Sequence, residues 1–223
     1  MTNTGIPEAP RALDPSQTFD ALVTWVCDLA VQKNIPGILI GISGTDSILT
    51  FLVCAKAFEQ LGKPERVMGV HFGPSWPPSD NDFNEFTKNN SDLGIVTPED
   101  MRARWPNNPW TISSDVMPWL MEQAPEAQLH IISDVNYRSD AIRWAELRDI
   151  AIFGPEKNKF QPGISPLSMK KDRQLQPDQQ LWVAGTMNKT EQVLGTYSNA
   201  SYGTSIQPLV NLWKSEVLQI CAS

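Results

Sequence analysis

Two short polar stretches, each placed directly after an apolar run, carry the residue types that handle phosphate. The first, residues 43–47 (SGTDS), follows Ile38–Ile42 and precedes a mostly apolar segment typical of a helix. In such a strand-to-helix turn, backbone N–H groups and hydroxyls point at the positive end of the helix, where a phosphate or pyrophosphate binds. A Ser or Asp that only caps the helix has the same residue types, so this stretch alone favours neither interpretation.

The second stretch, residues 185–191 (GTMNKTE), follows the apolar run 181–184 and brings together a hydroxyl, an ammonium group and a carboxylate. Its Glu191 and the earlier Asp46 could share one Mg²⁺, an ion that prefers carboxylate and phosphate oxygens. The two stretches together therefore predict a site for a metal-bound phosphate compound.

The elements that must position these stretches alternate between helices and strands. Apolar runs predict strands at Ile38–Ile42, 66–72, Gln128–Ser133 and 181–184. Helical spacing predicts helices at 17–33, 48–61 and about 139–152, a short helix that follows from the stretch 185–191, and a last helix from Trp213. This order predicts an α/β fold with a doubly wound parallel sheet, whose ligands bind beyond the carboxyl ends of the strands. Residues 73–109 are predicted to be a long loop excursion with short helical pieces.

Composition limits the classes of function. The 223 residues fit one domain, expected to span residues 1–223 with a proline-rich insertion at about 153–180. The net charge of −7 argues against broad binding to nucleic acid or to an anionic membrane. No segment has the apolar length of a signal peptide or a membrane span, which predicts a soluble cytoplasmic protein. The three cysteines are expected to be buried free thiols, and His71 and His130 to be satisfied core histidines.

Three motifs resemble those of the ammonia-dependent NAD synthetases, a family of the ATP pyrophosphatase superfamily: GISGTDS, GTMNKTE and IQPLVNLWKSEV, in this order. The resemblance runs from about Pro36 to the C-terminus with one long interruption. It implies a Rossmann-like ATP pyrophosphatase domain, ATP and Mg²⁺ as cofactors, and a homodimer. Three motifs in matching contexts are far more specific than one glycine loop.

The resemblance also implies roles for individual residues. Residues expected to contact ATP are Ser43, Gly44, Thr45, Ser47, Thr186, Lys189 and Lys214. Asp46 and Glu191 are expected to hold the metal, and Asp46, Thr186 and Lys214 form the expected catalytic group. The expected substrate-binding residues are Asn136, Arg138 and Arg143.

Departures from the family pattern concern the substrate more than ATP. The phosphate loop lacks one residue of the usual Ser-Gly-Gly-x-Asp-Ser. Asp140 and Ile142 stand where the family has two arginines, which leaves Arg138 and Arg143 either as replacements or as solvated surface residues. The family's Lys-Tyr-Gly-Asp-Gly stretch is Asn-Ala-Ser-Tyr-Gly at 199–203, without its lysine and aspartate.

The function predicted from these motifs is ATP-dependent amide formation. A carboxylate, of deamido-NAD or of a related small acid, would be adenylated with release of pyrophosphate, and ammonia would then attack the acyl-adenylate. One alternative is a family member recruited to amidate or ligate a different small acid in specialised biosynthesis. Another is a non-catalytic nucleotide-binding homologue. A tRNA-modifying ATP pyrophosphatase is disfavoured by the acidic composition.

Overall fold

The computed structural model describes residues 12–73, 109–133, 140–154, 175–197 and 203–223, together with residues 84, 88, 97, 100 and 103. Asn136, Arg138, most of the 73–109 excursion and residues 155–174 of the predicted insertion lie outside these residues. Within the described residues, no helix is long and apolar enough to cross a membrane.

The first helix, α1 (Pro15–Lys33), begins two residues earlier than predicted because Asp14 caps it. The Asp14 carboxylate accepts a hydrogen bond from the backbone N–H of Gln17 at 3.0 Å, and Pro15 has no N–H to leave unpaired. The helix ends at Asn34, which adopts the left-handed conformation with φ 50°.

Strand β1 (Ile38–Ile42) leads into α2 (Thr45–Gln60), which begins three residues before the predicted start at Ile48. Gly44 is the N-cap, and the Ser47 hydroxyl closes the turn with a hydrogen bond to the Gly44 carbonyl at 2.7 Å. Thr45 and Asp46 therefore lie in the first turn of a helix and not in a loop.

The strands β1, β2 (Val67–Gly73), β3 (Gln128–Ser133) and β4 (Trp182–Ala184) form a parallel sheet in the order β3-β2-β1-β4. This confirms the predicted α/β fold with a parallel sheet. The chain passes from β1 to β2 and β3 on one side, then returns to place β4 on the other side of β1. The carboxyl ends of β1 and β4 thus flank the switch point at which such sheets bind ligands.

The two faces of the sheet are covered by different helices. Ile38, Ile40 and Ile42 of β1 pack in a core with α1, α2 and α6 (Lys214–Cys221), whereas Leu39 packs in a smaller core with α4 (Asp140–Phe153). The short helix α5 (Lys189–Leu194) follows β4.

Residues 109–123 form a helical segment for which the sequence patterns predicted no element. A turn at Pro109–Thr111 continues as a π-helix at Ile112–Val116 and then as α3 (Met117–Gln123), with Ile112, Met117 and Leu120 buried.

The ends of the predicted insertion meet at the edge of the sheet opposite the carboxyl ends of the strands. Gly154 ends α4 with φ 81°, and the N–H of Leu175 donates to the carbonyl of Ile152 at 2.9 Å. Arg66, just before β2, also donates to the carbonyl of Asp178 at 3.0 Å. Residues 154 and 175, which flank residues 155–174, therefore lie close together at the amino ends of the strands.

Candidate active site

The turn after β1 is organised by the hydroxyl of Ser47, which is 2% exposed. The backbone N–H groups of Ser43 and Gly44 donate to this hydroxyl at 2.8 and 2.9 Å. Ser47 therefore shapes the turn from inside. The N–H groups at the start of α2 have no acceptor within the helix, and they carry the positive end of the helix dipole. They are the donors that this turn offers to an anion.

Asp46 lies in that first turn, and its two carboxylate oxygens have different partners. Oδ1 accepts a hydrogen bond from the amide Nδ2 of Asn188 at 3.1 Å. Oδ2 accepts from the ammonium Nζ of Lys214, with which it forms an ion pair. Residues from the first and third motifs are thus in direct contact.

Asn188 connects Asp46 to Glu191, and the sequence patterns did not single it out. It is fully buried, and it caps α5: its Oδ1 accepts the N–H of Glu191 at 3.0 Å and its own N–H donates to Glu191 Oε2 at 3.2 Å. Through the Nδ2 contact it also orients Asp46. The spacing N-x-x-E, a capping-box pattern, was the available signal. We call Asp46, Asn188, Glu191 and Lys214 the carboxylate cluster.

Asp46 and Glu191 are the residues of the carboxylate cluster that would hold a magnesium ion, with its remaining ligands from phosphate. Asp46 and Glu191 are both oriented by Asn188, and an ammonium group already lies against Asp46. Among the described residues there is no group of three or more His, Cys, Asp or Glu that could hold a metal. Mg²⁺ is commonly held by one or two carboxylates plus substrate phosphates, so two suffice for this type of site.

Lys189 and Thr186, two more predicted ATP contacts, differ in their surroundings. The ammonium of Lys189 lies 5.0 Å from the ring centroid of Trp213, a cation–π contact, and its backbone N–H donates to the carbonyl of Leu212 at 2.8 Å. These contacts join α5 to the start of α6. Thr186 is half-buried and faces the cleft described next.

A cleft of about 260 Å³ lies beside the cluster at the carboxyl ends of β1, β2 and β4. Its lining includes Ser43, Thr186 and Glu191 on the side of the cluster, and Arg143, Trp144 and Leu147 of α4 on the other. Gly41 lies at its base, where an added Cβ would be 3.0 Å from Leu147 Cδ1. Glycine therefore keeps this space open.

Of the predicted substrate-binding residues, Arg143 lines the cleft. Ile142, which stands at a family arginine position, is 41% exposed and does not line it. Asn136 and Arg138 lie outside the described residues, and of residues 199–203 only Gly203 is described. Trp144 and Tyr197 also line the cleft and add aromatic surface that the motifs did not indicate.

The two histidines differ in their contacts. His71 is buried, with Nδ1 2.8 Å from the Ile42 carbonyl and Nε2 3.0 Å from the Pro109 carbonyl, as expected of a satisfied core residue. His130 is half-buried and its Nε2 has no hydrogen-bond partner in the described part of the chain, so the prediction is wrong for this residue. Burial lowers the pKa of His130.

The expectation of three buried thiols is also wrong. Cys54 is buried, and burial raises its pKa to about 12, but Cys27 is half-buried and Cys221 is exposed. The sequence context misled because both are on amphipathic helices, where an apolar neighbourhood in sequence includes the outer face.

No protein-family model matches the chain, and no curated protein matches its sequence significantly. Among solved structures it is similar to an NH3-dependent NAD synthetase from Campylobacter jejuni subsp. jejuni NCTC 11168, with 14% identity and a TM-score of 0.52 over 95% of this chain and 73% of that chain. It is also similar to an NMN synthetase from Francisella tularensis, with 18% identity and a TM-score of 0.51 over 95% of this chain and 71% of that chain. This chain therefore has an NAD synthetase-like α/β fold, as its three motifs predict.

Proposed function

We propose that the chain is an ATP-dependent carbon–nitrogen ligase that adenylates a small carboxylic acid with release of pyrophosphate and then passes the acyl group to ammonia with release of AMP. The observation that carries this proposal is the carboxylate cluster, which joins Asp46, Glu191 and Lys214 at the switch point through buried Asn188. The cluster places two carboxylates and an ammonium group from separate elements beside the positive end of a helix. This combination suits a triphosphate with a bound metal ion.

Each part of the cluster has a role in the proposed reaction. The first turn of α2 offers N–H donors to the β- and γ-phosphates, and Lys214 and Thr186 offer a charge and a hydroxyl to the oxygens that become negative as the bond at the α-phosphorus breaks. Asp46 and Glu191 would hold Mg²⁺, which when bound neutralises charge on the leaving pyrophosphate. Asn188 keeps both carboxylates in place throughout.

The acid substrate is proposed to be smaller or less charged than deamido-NAD. The cleft volume of about 260 Å³ is below the usual range of roughly 300–1,000 Å³ for ligand pockets. Arg143 supplies a cation on the wall formed by α4, and the neighbouring Trp144 and Leu147 are apolar. A carboxylate that approaches Arg143 would have its attached group against apolar and aromatic surface. A cytoplasmic homodimer that draws on free ammonia belongs to the same proposal.

The test is release of pyrophosphate with ATP, Mg²⁺, ammonium and a panel of carboxylic acids that includes deamido-NAD. We expect acid-dependent release with at least one small acid and little with deamido-NAD. A kcat/KM of about 10⁴ M⁻¹s⁻¹ or higher for deamido-NAD would contradict the substrate proposal and leave the reaction class intact. ATP binding without pyrophosphate release for any acid would favour the non-catalytic homologue.

A further inference from the structure

We infer that Lys214 is an exchangeable counter-ion: without nucleotide it occupies the cation position at Asp46, and it must leave Asp46 before a metal binds there. This inference rests on the proposed function, because it assumes that Asp46 is a metal ligand. It adds a coupling between the two ligands: ATP and the metal bind together, and the metal alone binds weakly.

The partners of the two carboxylate oxygens of Asp46 differ in burial. Oδ1 is bound by Asn188, a fully buried residue whose own position is fixed by capping α5. Oδ2 is bound by the ammonium of Lys214, whose side chain is 38% exposed. Because a lysine ammonium is a point charge on a flexible stem, the second contact is easily exchanged and the first is not. Asp46 can thus change its cation without losing its orientation.

The ammonium group and a metal ion compete for the same oxygen. Two cations in contact with one carboxylate oxygen repel each other strongly at such short range. Phosphate oxygens form charge-assisted hydrogen bonds with an ammonium group, so bound ATP offers Lys214 a new partner within the same site. Bound ATP therefore favours metal binding in two ways: its phosphate oxygens are ligands for the metal, and they draw Lys214 away from Asp46. By linkage, the bound metal raises the affinity for ATP by the same factor.

The experiment measures Mn²⁺ binding without nucleotide, by the loss of the free-ion EPR signal, because Mn²⁺ also prefers oxygen ligands. Lys214→Met removes the competing cation. Lys189→Met removes the same charge from the adjacent helix, where the ammonium lies over Trp213 and not on Asp46. Lys214→Arg keeps a cation that can pair with Asp46. If circular dichroism shows that Lys214→Met does not fold, Lys214→Gln is used in its place.

We expect Lys214→Met to tighten Mn²⁺ binding about three- to fivefold, the effect of a partly exposed ion pair, with Lys214→Arg and Lys189→Met within about twofold of the parent chain. Asp46→Asn should cancel the gain in the double variant. No gain in Lys214→Met, or an equal gain in Lys189→Met, would overturn the inference. If the parent chain binds Mn²⁺–ATP but Lys214→Met binds Mn²⁺ no more tightly than the parent, this inference alone fails. If it binds neither Mn²⁺ nor ATP, the proposed function fails with it.

Discussion

The two walls of the cleft are built by different means. On one side, the carboxylate cluster ties α2, α5 and α6 together through hydrogen bonds and an ion pair around buried Asn188. On the other side, α4 presents Arg143, Trp144 and Leu147, a surface of one charge and two apolar side chains. The first wall carries residues of the motifs that resemble those of the NAD synthetases, with a phosphate loop one residue short, and α4 carries Asp140 and Ile142 in place of the family's two arginines.

This difference indicates which part of the reaction can change. Within the cluster, an apolar residue in place of Asp46 would leave the buried amide Nδ2 of Asn188 without its partner, and one in place of Glu191 would leave the backbone N–H of Asn188 without its own. The α4 wall meets the cleft with Arg143, Trp144 and Leu147, none of which is a member of the cluster. Activation chemistry is therefore expected to be the constant part of this fold and acid recognition the variable part.

The largest expected effect comes from the metal ligands. Asp46→Asn and Glu191→Gln should each lower the rate of pyrophosphate release at least 100-fold, because each removes a charge that would hold Mg²⁺. Glutamine can keep the capping box of α5, so the Glu191 variant should melt close to the parent temperature. Steady-state assays with Asp28→Asn, an exposed aspartate of α1, as the control check this prediction. Retained turnover in both variants would remove the proposed roles of the two carboxylates.

The α4 wall should respond in a way specific to the acid. Arg143→Gln is expected to lower kcat/KM for the acid about 10- to 100-fold, the loss of a charge-assisted hydrogen bond, with little change in the Kd of ATP. Arg148→Gln on the exposed side of the same helix is the matched control. Equal losses for ATP and acid would mean that Arg143 belongs to the phosphate side of the cleft.

Gly185 lies in the turn after β4, which supports the carboxylate cluster. Gly185→Ala should destabilise the protein. An added Cβ would lie 2.6 Å from Thr204 Oγ1 and 3.1 Å from Gln207 Cγ, in a place where these two side chains hydrogen-bond to each other at 3.1 Å. We expect a loss of about 1–3 kcal/mol in the free energy of unfolding, measured with urea. Gly203→Ala, whose Cβ would meet nothing within 4 Å, should change it by less than about 0.5 kcal/mol.

The smallest effect is expected from removal of residues 155–174. The flanking residues meet at the edge of the sheet opposite the cleft, where Leu175 is hydrogen-bonded to Ile152. A chain in which a two-residue linker joins Gly154 to Leu175 should keep its melting temperature within a few degrees and its ATP affinity within about twofold. Loss of ATP binding in this chain would show that the insertion reaches the cleft, as a lid would.

The strands, their order of occurrence and the two polar turns that follow β1 and β4 could be predicted because apolar β-branched runs and polar turns are local signals. The start of α2 was placed late because the role of Ser47, which bonds to the turn before it, depends on backbone geometry. The helical segment at residues 109–123 was missed because its serines and Pro118 are typical of loops, although proline is tolerated in a first helical turn. The contact of Asn188 with Asp46 had no sequence signal, since nothing local indicates which distant partner a buried amide meets.

The span of the carboxylate cluster along the chain has a consequence for how the protein acquires its site. Asp46 is 142 positions from Asn188 and 168 positions from Lys214, whereas β1 and β2 are joined by α2 and a short 3-10 helix (Pro64–Arg66) alone. Closing the longer loops costs more chain entropy, and contacts of high sequence separation form slowly. During refolding, α1, α2 and the β1–β2 pair can therefore assemble before α5 and α6 dock. A chain that has regained most of its circular dichroism signal can still lack the paired charges of the carboxylate cluster.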